Sequence, residues 1–97
     1  MNRISLSLLA QADLESVWNH IGIEKHSPVA ARRQIERIYE ALSFLSDNQL
    51  MGEARPDLRS DLRCLSTGNY VIFYIAAIDG IEVERVVHGS RDVGELF

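Results

Sequence analysis

The sequence contains a single cysteine, Cys64, among its 97 residues. One thiol cannot form a disulfide within the chain, and it cannot supply the paired thiolates of a structural zinc site. The three histidines, His20, His26 and His88, also lack the paired spacing that metal ligands usually show. We therefore expect no metal and no cofactor, and a chain that works in the reducing environment of the cytoplasm.

Lysine is almost absent: Lys25 is the single lysine, whereas the sequence has nine arginines. The net charge is −4. The acidic balance argues against direct binding of nucleic acid, because contact with phosphates needs a surplus of cations. Arginine is preferred to lysine where planar, bidentate contact with a carboxylate or phosphate matters. The composition therefore favours an arginine-rich surface that faces an acidic protein partner.

Long hydrophobic runs are lacking as well. The apolar stretch near residue 8 is interrupted by Gln11 and Asp13, so we expect neither a signal peptide nor a membrane span, and no membrane partner. Hydrophobic residues make up 46% of the chain and charged residues 25%, which is typical of globular proteins. Residues 1–97 are predicted to form one domain.

The apolar spacing predicts the element order β-α-α-β-β-β. A short strand in RISLSLL precedes a helix, which Ser7 can cap and Gly22 can end. A longer helix follows Ser27, with Pro28 in its first turn. The first helix has an apolar stripe of Leu14, Val17, Trp18 and Ile21, and the second a face of Ala31, Ile35, Ile38, Leu42 and Leu45.

The second half of the sequence predicts a loop and then three strands. MGEARPDLRS reads as the loop, DLRCLS as a short strand and YVIFYIAAI as a central strand buried on both faces. IEVERVVHG follows the hairpin signal Asp79-Gly80 and reads as a strand that runs back along the central strand. Regular alternation places Val83, Arg85 and Val87 on one face of this strand and Val86 on the other. The predicted fold class is α+β, a helical hairpin packed on one face of a small, mostly antiparallel sheet.

Three segments together resemble the ParE branch of the RelE/ParE toxin superfamily. They are ADLESVW, GEARPDLRSDLRCLSTGNYVIFY and VERVVHGSRD, and the likeness covers nearly the whole chain in the family's order. The resemblance implies the toxin of a type II toxin–antitoxin module, neutralised by a small ParD-like antitoxin that wraps around it. ParE-type members are implied to poison DNA gyrase, and RelE-type members to cleave mRNA on the ribosome.

The branch is chosen from the residues that RelE-type chemistry is implied to need. Those members use an Arg on the central strand, an Arg in the terminal turn and a Tyr shortly after it, to act on RNA. In this sequence the three positions hold Val71, Arg91 and Phe97, and the preceding lysines are missing. We therefore expect a non-enzymatic toxin that inhibits gyrase. The alternatives are an mRNA endonuclease with a rearranged site at Arg63, His88 and Arg91, and an inactivated toxin kept as a binding partner of its antitoxin.

The candidate residues for target binding lie in the second half of the chain. They are Arg59, Arg63, Arg85, His88, Arg91 and Phe97. The arginines either converge at one end or face of the sheet or form a scattered solvated surface. For His88, a hydrogen bond that closes the last strand is favoured over a role as general base. Arg91 and Asp92 either hold an acidic group of a partner or form a structural ion pair.

The candidate residues for antitoxin binding lie on the helical hairpin. They are Trp18, Ile35, Tyr39 and Leu42, because large apolar side chains anchor helices in grooves. We expect a strand or a helix of the antitoxin to bind in the groove between the helical hairpin and the sheet. For Trp18 a place in the core is the favoured alternative. The apolar segment VGELF, residues 93–97, either packs back on the sheet or reaches for the target.

Overall fold

The chain folds as two helices packed against one face of a five-stranded sheet. The computed structural model describes residues 2–97. In chain order the elements are β1 (Arg3–Leu6), α1 (Leu8–Trp18) with a π-helical continuation (Asn19–Glu24), α2 (Pro28–Asp47), β2 (Glu53–Ala54), β3 (Arg63–Thr67), β4 (Tyr70–Ala77), β5 (Gly80–His88) and a 3-10 turn (Val93–Glu95). The predicted α+β class and helical hairpin are confirmed. Neither helix has the length and apolar character that crossing a membrane would require, within residues 2–97.

The strands are ordered β1-β5-β4-β3-β2 across the sheet. β1 runs parallel to β5, and the other three pairs are antiparallel, so the prediction of a mostly antiparallel sheet is confirmed. The structure adds β2, a strand of two residues within the predicted loop. Two residues are too few to show the alternation by which a strand is predicted.

Both helices begin where their capping residues predict. The hydroxyl of Ser7 accepts a hydrogen bond from the Ala10 backbone at 3.0 Å, and that of Ser27 accepts one from Ala30 at 3.3 Å. The first helix does not end at Gly22, because its π-helical continuation runs to Glu24. A side chain at Gly22 would place its Cβ 3.4 Å from the Cβ of Ala31. The glycine therefore lets the two helices pack closely, and it is not a helix terminator.

A β-bulge changes which faces the residues of β5 occupy. The register between β4 and β5 shifts between Phe73 and Tyr74, which pair with Arg85 and Val83. Val83 and Val86, three residues apart, therefore both join the cluster beneath the helices, while Val87 joins the opposite face. The regular alternation predicted for β5 is wrong beyond Val83, because an extra residue in one strand shifts the following side chains.

The central strand β4 is buried on both faces, as predicted. Its Ile72 and Tyr74 belong to the core between the helices and the sheet. On the other face Phe73 belongs to a second cluster, which residues from the end of the chain cover. The ring of Phe97 lies 5.1 Å from the ring of Phe73. Residues 93–97 therefore pack back on the sheet, the first of the two alternatives, and cover part of the face that the helices leave open.

A buried ion pair fixes α1 to β5. The Asp13 carboxylate accepts two hydrogen bonds from the guanidinium of Arg85, at 2.8 and 2.9 Å, and a third from the backbone of Val86 at 2.9 Å. The two side chains are only 10% and 12% exposed. Hydrogen bonding to Asp13 raises the pKa of Arg85 above its ordinary value, so the guanidinium stays charged. Removing one partner would leave a buried charge uncompensated.

We predict that Asp13→Ala lowers the free energy of unfolding by about 3 to 5 kcal/mol, the usual effect of removing one partner of a buried ion pair. Urea unfolding followed by circular dichroism measures this change. Glu15→Ala, at an exposed position of the same helix, should stay within about 0.5 kcal/mol of the unchanged protein. A loss below about 1 kcal/mol for Asp13→Ala would mean that the pair does not hold the helix in place.

Candidate functional site

A cleft of about 270 Å³ opens between α1 and the last residues of β5. Three valines, Val17, Val86 and Val87, form its apolar part. The polar residues that line it are Asp13, Ser16, His20, Tyr70, His88 and Arg91. Of the six residues predicted to bind a target, only His88 and Arg91 lie here.

His88 is held by the turn that follows β5. Its Nδ1 lies 2.7 Å from the hydroxyl of Ser90 and accepts a hydrogen bond from the Ser90 backbone at 3.1 Å. Because a backbone N–H can only donate, Nδ1 carries no proton and the proton of the neutral ring is on Nε2. The ring also meets Tyr70 edge-on, with centroids 5.4 Å apart. These contacts agree with the favoured interpretation that His88 closes the last strand.

Tyr70 lies beneath His88 with its hydroxyl unpaired. Only 7% of the residue is exposed, and the hydroxyl has no hydrogen-bond partner among residues 2–97. Burial raises the pKa of Tyr70, so the phenol keeps its proton at neutral pH and can donate it to a hydrogen bond. The residue lines the open cleft, so its hydroxyl can donate to water or to a ligand that enters the cleft.

The four candidate arginines do not converge. Arg59 is paired with Asp61 at 3.0 Å and with Glu84 at 2.9 Å. Arg63 donates to the carbonyl of Leu50 at 3.2 Å, and Arg85 is held by its buried ion pair. Of the two alternatives, convergence on one surface does not include Arg85, because its guanidinium is paired with Asp13 inside the fold.

Arg91 differs from the other three. It lines the cleft, its residue is exposed, and it makes no side-chain hydrogen bond or ion pair with any residue from 2 to 97. The structural ion pair with Asp92, one of the two alternatives, does not form there. Asp92 instead accepts a hydrogen bond from the backbone of Gly94 at 3.1 Å, which caps the following 3-10 turn. The guanidinium of Arg91 is therefore free for a partner.

Arg63 lies apart from the other two residues of the alternative nuclease site, His88 and Arg91, which both line the cleft. Arg63 stands opposite Tyr74 in the sheet, and His88 stands opposite Tyr70. Tyr74 is four residues after Tyr70 in β4, which is about 13 Å along a strand. The three side chains therefore do not share one site. In the described residues 2–97, no group of three or more His, Cys, Asp or Glu side chains is arranged to hold a metal ion.

The candidate antitoxin residues divide into exposed and buried pairs. Trp18 is 41% exposed and Tyr39 is 47% exposed, so the favoured placement of Trp18 in the core is wrong. Leu42 is completely buried, and Ile35 packs against the core. Leu42 therefore cannot contact an antitoxin directly in this fold, and the helical stripe that predicted it marks the side facing the sheet.

A second hollow lies on the outer side of the hairpin. Its volume is about 210 Å³, and it is lined by Trp18, Pro28, Val29 and Arg32. Val29 and Trp18 both expose apolar surface there. The hollow therefore combines an aromatic wall, an aliphatic side chain and a cation.

Sequence reasoning overlooked three residues that matter for the cleft. Asp13 lies three residues after Ala10 and four before Val17, on the buried stripe of α1, and an acid on such a stripe needs a cationic partner. Ser90 is two residues from His88, close enough for a turn to bring them together. The apolar pattern around Tyr70 indicates only that this residue belongs to a buried strand. The buried acid was the one signal clear enough to predict a specific contact.

The fold is that of a solved structure described as the chromosomal ParDE toxin–antitoxin system from P. aeruginosa. The TM-score is 0.73 at 20% sequence identity, over 91% of this chain and 96% of that chain. The chain thus has the α+β fold of that structure, with two helices packed on a five-stranded sheet. The model of the ParE toxin family of type II toxin–antitoxin systems, parDE, matches residues 4–93. The chain belongs to this family, which confirms the predicted ParE branch. No curated protein sequence matches the chain.

We predict that Tyr70→Phe reduces the loss of stability at alkaline pH. Because burial raises the pKa of Tyr70, the unfolded chain releases this proton first, at about pH 10. The contribution of Tyr70 to the free energy of unfolding is therefore fully present below about pH 10 and is lost as the pH rises further. Urea unfolding from about pH 8 to about pH 11 should show a shallower fall in the variant. Equal slopes in the two proteins would contradict the prediction.

Proposed function

We propose that the chain is the toxin of a type II toxin–antitoxin module, that a ParD-like antitoxin neutralises it, and that it inhibits DNA gyrase in the cytoplasm. Membership of the ParE toxin family over residues 4–93 carries the proposal. The structure with the same fold is described as a ParDE system, in which a toxin and an antitoxin occur together. The likeness supports an antitoxin as the first partner of this chain.

Three observations support inhibition by binding rather than by RNA cleavage. Acid–base catalysis needs groups that can take up and release protons close to the reacting atoms. The strand position of RelE-type members holds Val71, whose side chain packs in the second apolar cluster. The downstream position holds Phe97, which has no hydroxyl and packs on Phe73. Of the remaining candidates, His88 and Arg91 line one cleft, but Arg63 lies about 13 Å from His88 along the sheet.

The outer side of the helical hairpin is the surface that we assign to the antitoxin. Trp18 and Val29 offer apolar area to a helix that lies across the hairpin. Arg32 lines the same hollow and can pair with a carboxylate of the partner. Tyr39 lies on the next turns of α2 and extends this surface. Aromatic residues and arginine commonly dominate the energy of protein interfaces.

We predict that Trp18→Ala weakens antitoxin binding by about 30-fold or more, as expected for an aromatic anchor in an interface. Isothermal titration calorimetry with the purified antitoxin measures the affinity. Ile78→Ala is the matched control, because Ile78 is a fully exposed apolar residue at the turn between β4 and β5. Thermal unfolding of both variants tests their folds. A well-folded Trp18→Ala variant with unchanged affinity would move the antitoxin to another surface.

The test of the proposed target is DNA supercoiling by gyrase, titrated with the chain free of antitoxin. We expect inhibition together with accumulation of cleaved DNA. If gyrase remained fully active in excess toxin, gyrase would not be the target. Two further observations then separate the alternatives. In-frame cuts in translated messages after induction indicate a nuclease, and the absence of growth arrest indicates an inactive toxin.

We predict that Arg91→Ala weakens gyrase inhibition by about tenfold or more but changes antitoxin affinity by less than about twofold. Arg91 has no partner within residues 2–97 and lies at the cleft, whereas the proposed antitoxin surface is the outer side of the hairpin. Arg37→Ala, at an exposed position of α2, changes the net charge equally and should inhibit gyrase normally. Equal losses in both activities of Arg91→Ala would show that the residue is structural.

A further inference from the structure

The cleft between α1 and the end of β5 contains one carboxylate, and that carboxylate is saturated. Asp13 accepts two hydrogen bonds from Arg85 and one from the backbone of Val86. Its charge is compensated by the guanidinium, at 2.8 Å. Asp13 therefore neither attracts a cation into the cleft nor strongly repels an anion from it.

The remaining polar groups of the cleft include three unpaired donors. The Tyr70 hydroxyl is protonated and belongs to a residue of which 7% is exposed. The His88 ring carries its proton on Nε2, because Nδ1 accepts from Ser90. Arg91 presents a guanidinium that has no acceptor among residues 2–97. These donors come from β4, the end of β5 and the following turn, and all line the same cleft.

The second imidazole of the cleft belongs to His20. Its Nδ1 lies 2.8 Å from the carboxylate of Glu24, so this nitrogen carries a proton and donates it to the carboxylate. The Glu24 carboxylate is occupied by this contact. Asp13 is paired with Arg85 and Glu24 with His20. No hydrogen bond or ion pair recorded among residues 2–97 joins a carboxylate to the three donor side chains.

Among residues 2–97, the free acceptors of the cleft are Nε2 of His20 and the hydroxyl of Ser16, and the donors of Tyr70, His88 and Arg91 include its only unpaired charge. This balance favours a ligand that is rich in acceptors and negatively charged. Phosphate oxygens accept several hydrogen bonds at once, and arginine is the side chain best matched to them. The valines offer apolar contact to a small organic group beside the oxyanion. At about 270 Å³ the cleft is close to the lower limit of ordinary ligand pockets, about 300 Å³.

We propose that this cleft is an oxyanion site, which binds phosphate or the phosphate group of a small ester through Tyr70, His88 and Arg91. It shares Arg91 with the positions of RelE-type chemistry, but the other two positions hold Val71 and Phe97, which belong to the apolar cluster on the opposite face of the sheet. The chain as a whole carries a charge of −4. The net charge of the protein therefore does not attract an anion, and the affinity must come from the donors that line the cleft.

The test is a titration of the purified chain with inorganic phosphate and with phenyl phosphate, and sodium chloride at equal ionic strength is the reference. Nuclear magnetic resonance follows the ring signals of His20 and His88 and the backbone amide of Ser90. We expect saturable shifts with both phosphates and tighter binding of phenyl phosphate. Tyr70→Phe should weaken binding by about five- to tenfold and Arg91→Ala by about tenfold or more.

The matched control is Arg37→Ala, which removes the same charge from α2 and should leave the affinity unchanged. Shifts that are equal in chloride would mean an adventitious ion only. Equal weakening by Arg37→Ala and Arg91→Ala would mean general electrostatic attraction, and an unchanged affinity in Tyr70→Phe would remove the buried donor from the site. Each of these three results overturns the proposal. The measurement uses the chain alone, so its outcome does not depend on whether gyrase is the target.

Discussion

The arrangement of the helical side of this protein depends on the contact between Asp13 and Arg85. A carboxylate that is only 10% exposed needs compensation, and here it receives a bidentate guanidinium and a backbone N–H. The three hydrogen bonds fix the rotation of α1 about its axis and its position along β5. They also determine where the next turns lie, so Val17 meets Val86 at the floor of the cleft. The cleft is thus a consequence of one buried pair, and that pair consumes an arginine that otherwise looks available for recognition.

The face of the sheet away from the helices is partly covered by the end of the chain. An antiparallel sheet with helices on one side leaves its other side in water, yet β4 carries Phe73 toward that side. Residues 93–97 supply the missing cover, with Phe97 against Phe73. A residue that forms part of a hydrophobic cluster is poorly placed to leave it for catalysis. This packing is one reason to regard the terminal turn as a presenting element for Arg91 and not as part of a nuclease centre.

Much of the fold follows from local signals in the sequence, and the site does not. Ser7, Ser27 and Pro28 mark the helix starts because capping is decided within one turn. The bulge that reassigns Val86 depends on the pairing of β5 with β4, which no single-strand pattern contains. Trp18 was assigned to the core because it continues an apolar stripe, but the widening of the helix at Asn19 and the approach of Ala31 to Gly22 leave its ring half outside. Unpaired donors become visible only when every potential partner has been located.

The two surfaces that we assign to partners lie on one helix and are chemically different. Near the end of α1, Trp18 lines the apolar hollow on the outer side of the hairpin, and Val17 lines the cleft beside β5. Adjacent residues of a helix point about 100° apart, so the two surfaces are neighbours without overlapping. An antitoxin anchored at Trp18 can therefore leave Arg91 uncovered. The Asp13–Arg85 pair holds α1, the helix that contributes to both surfaces, against β5.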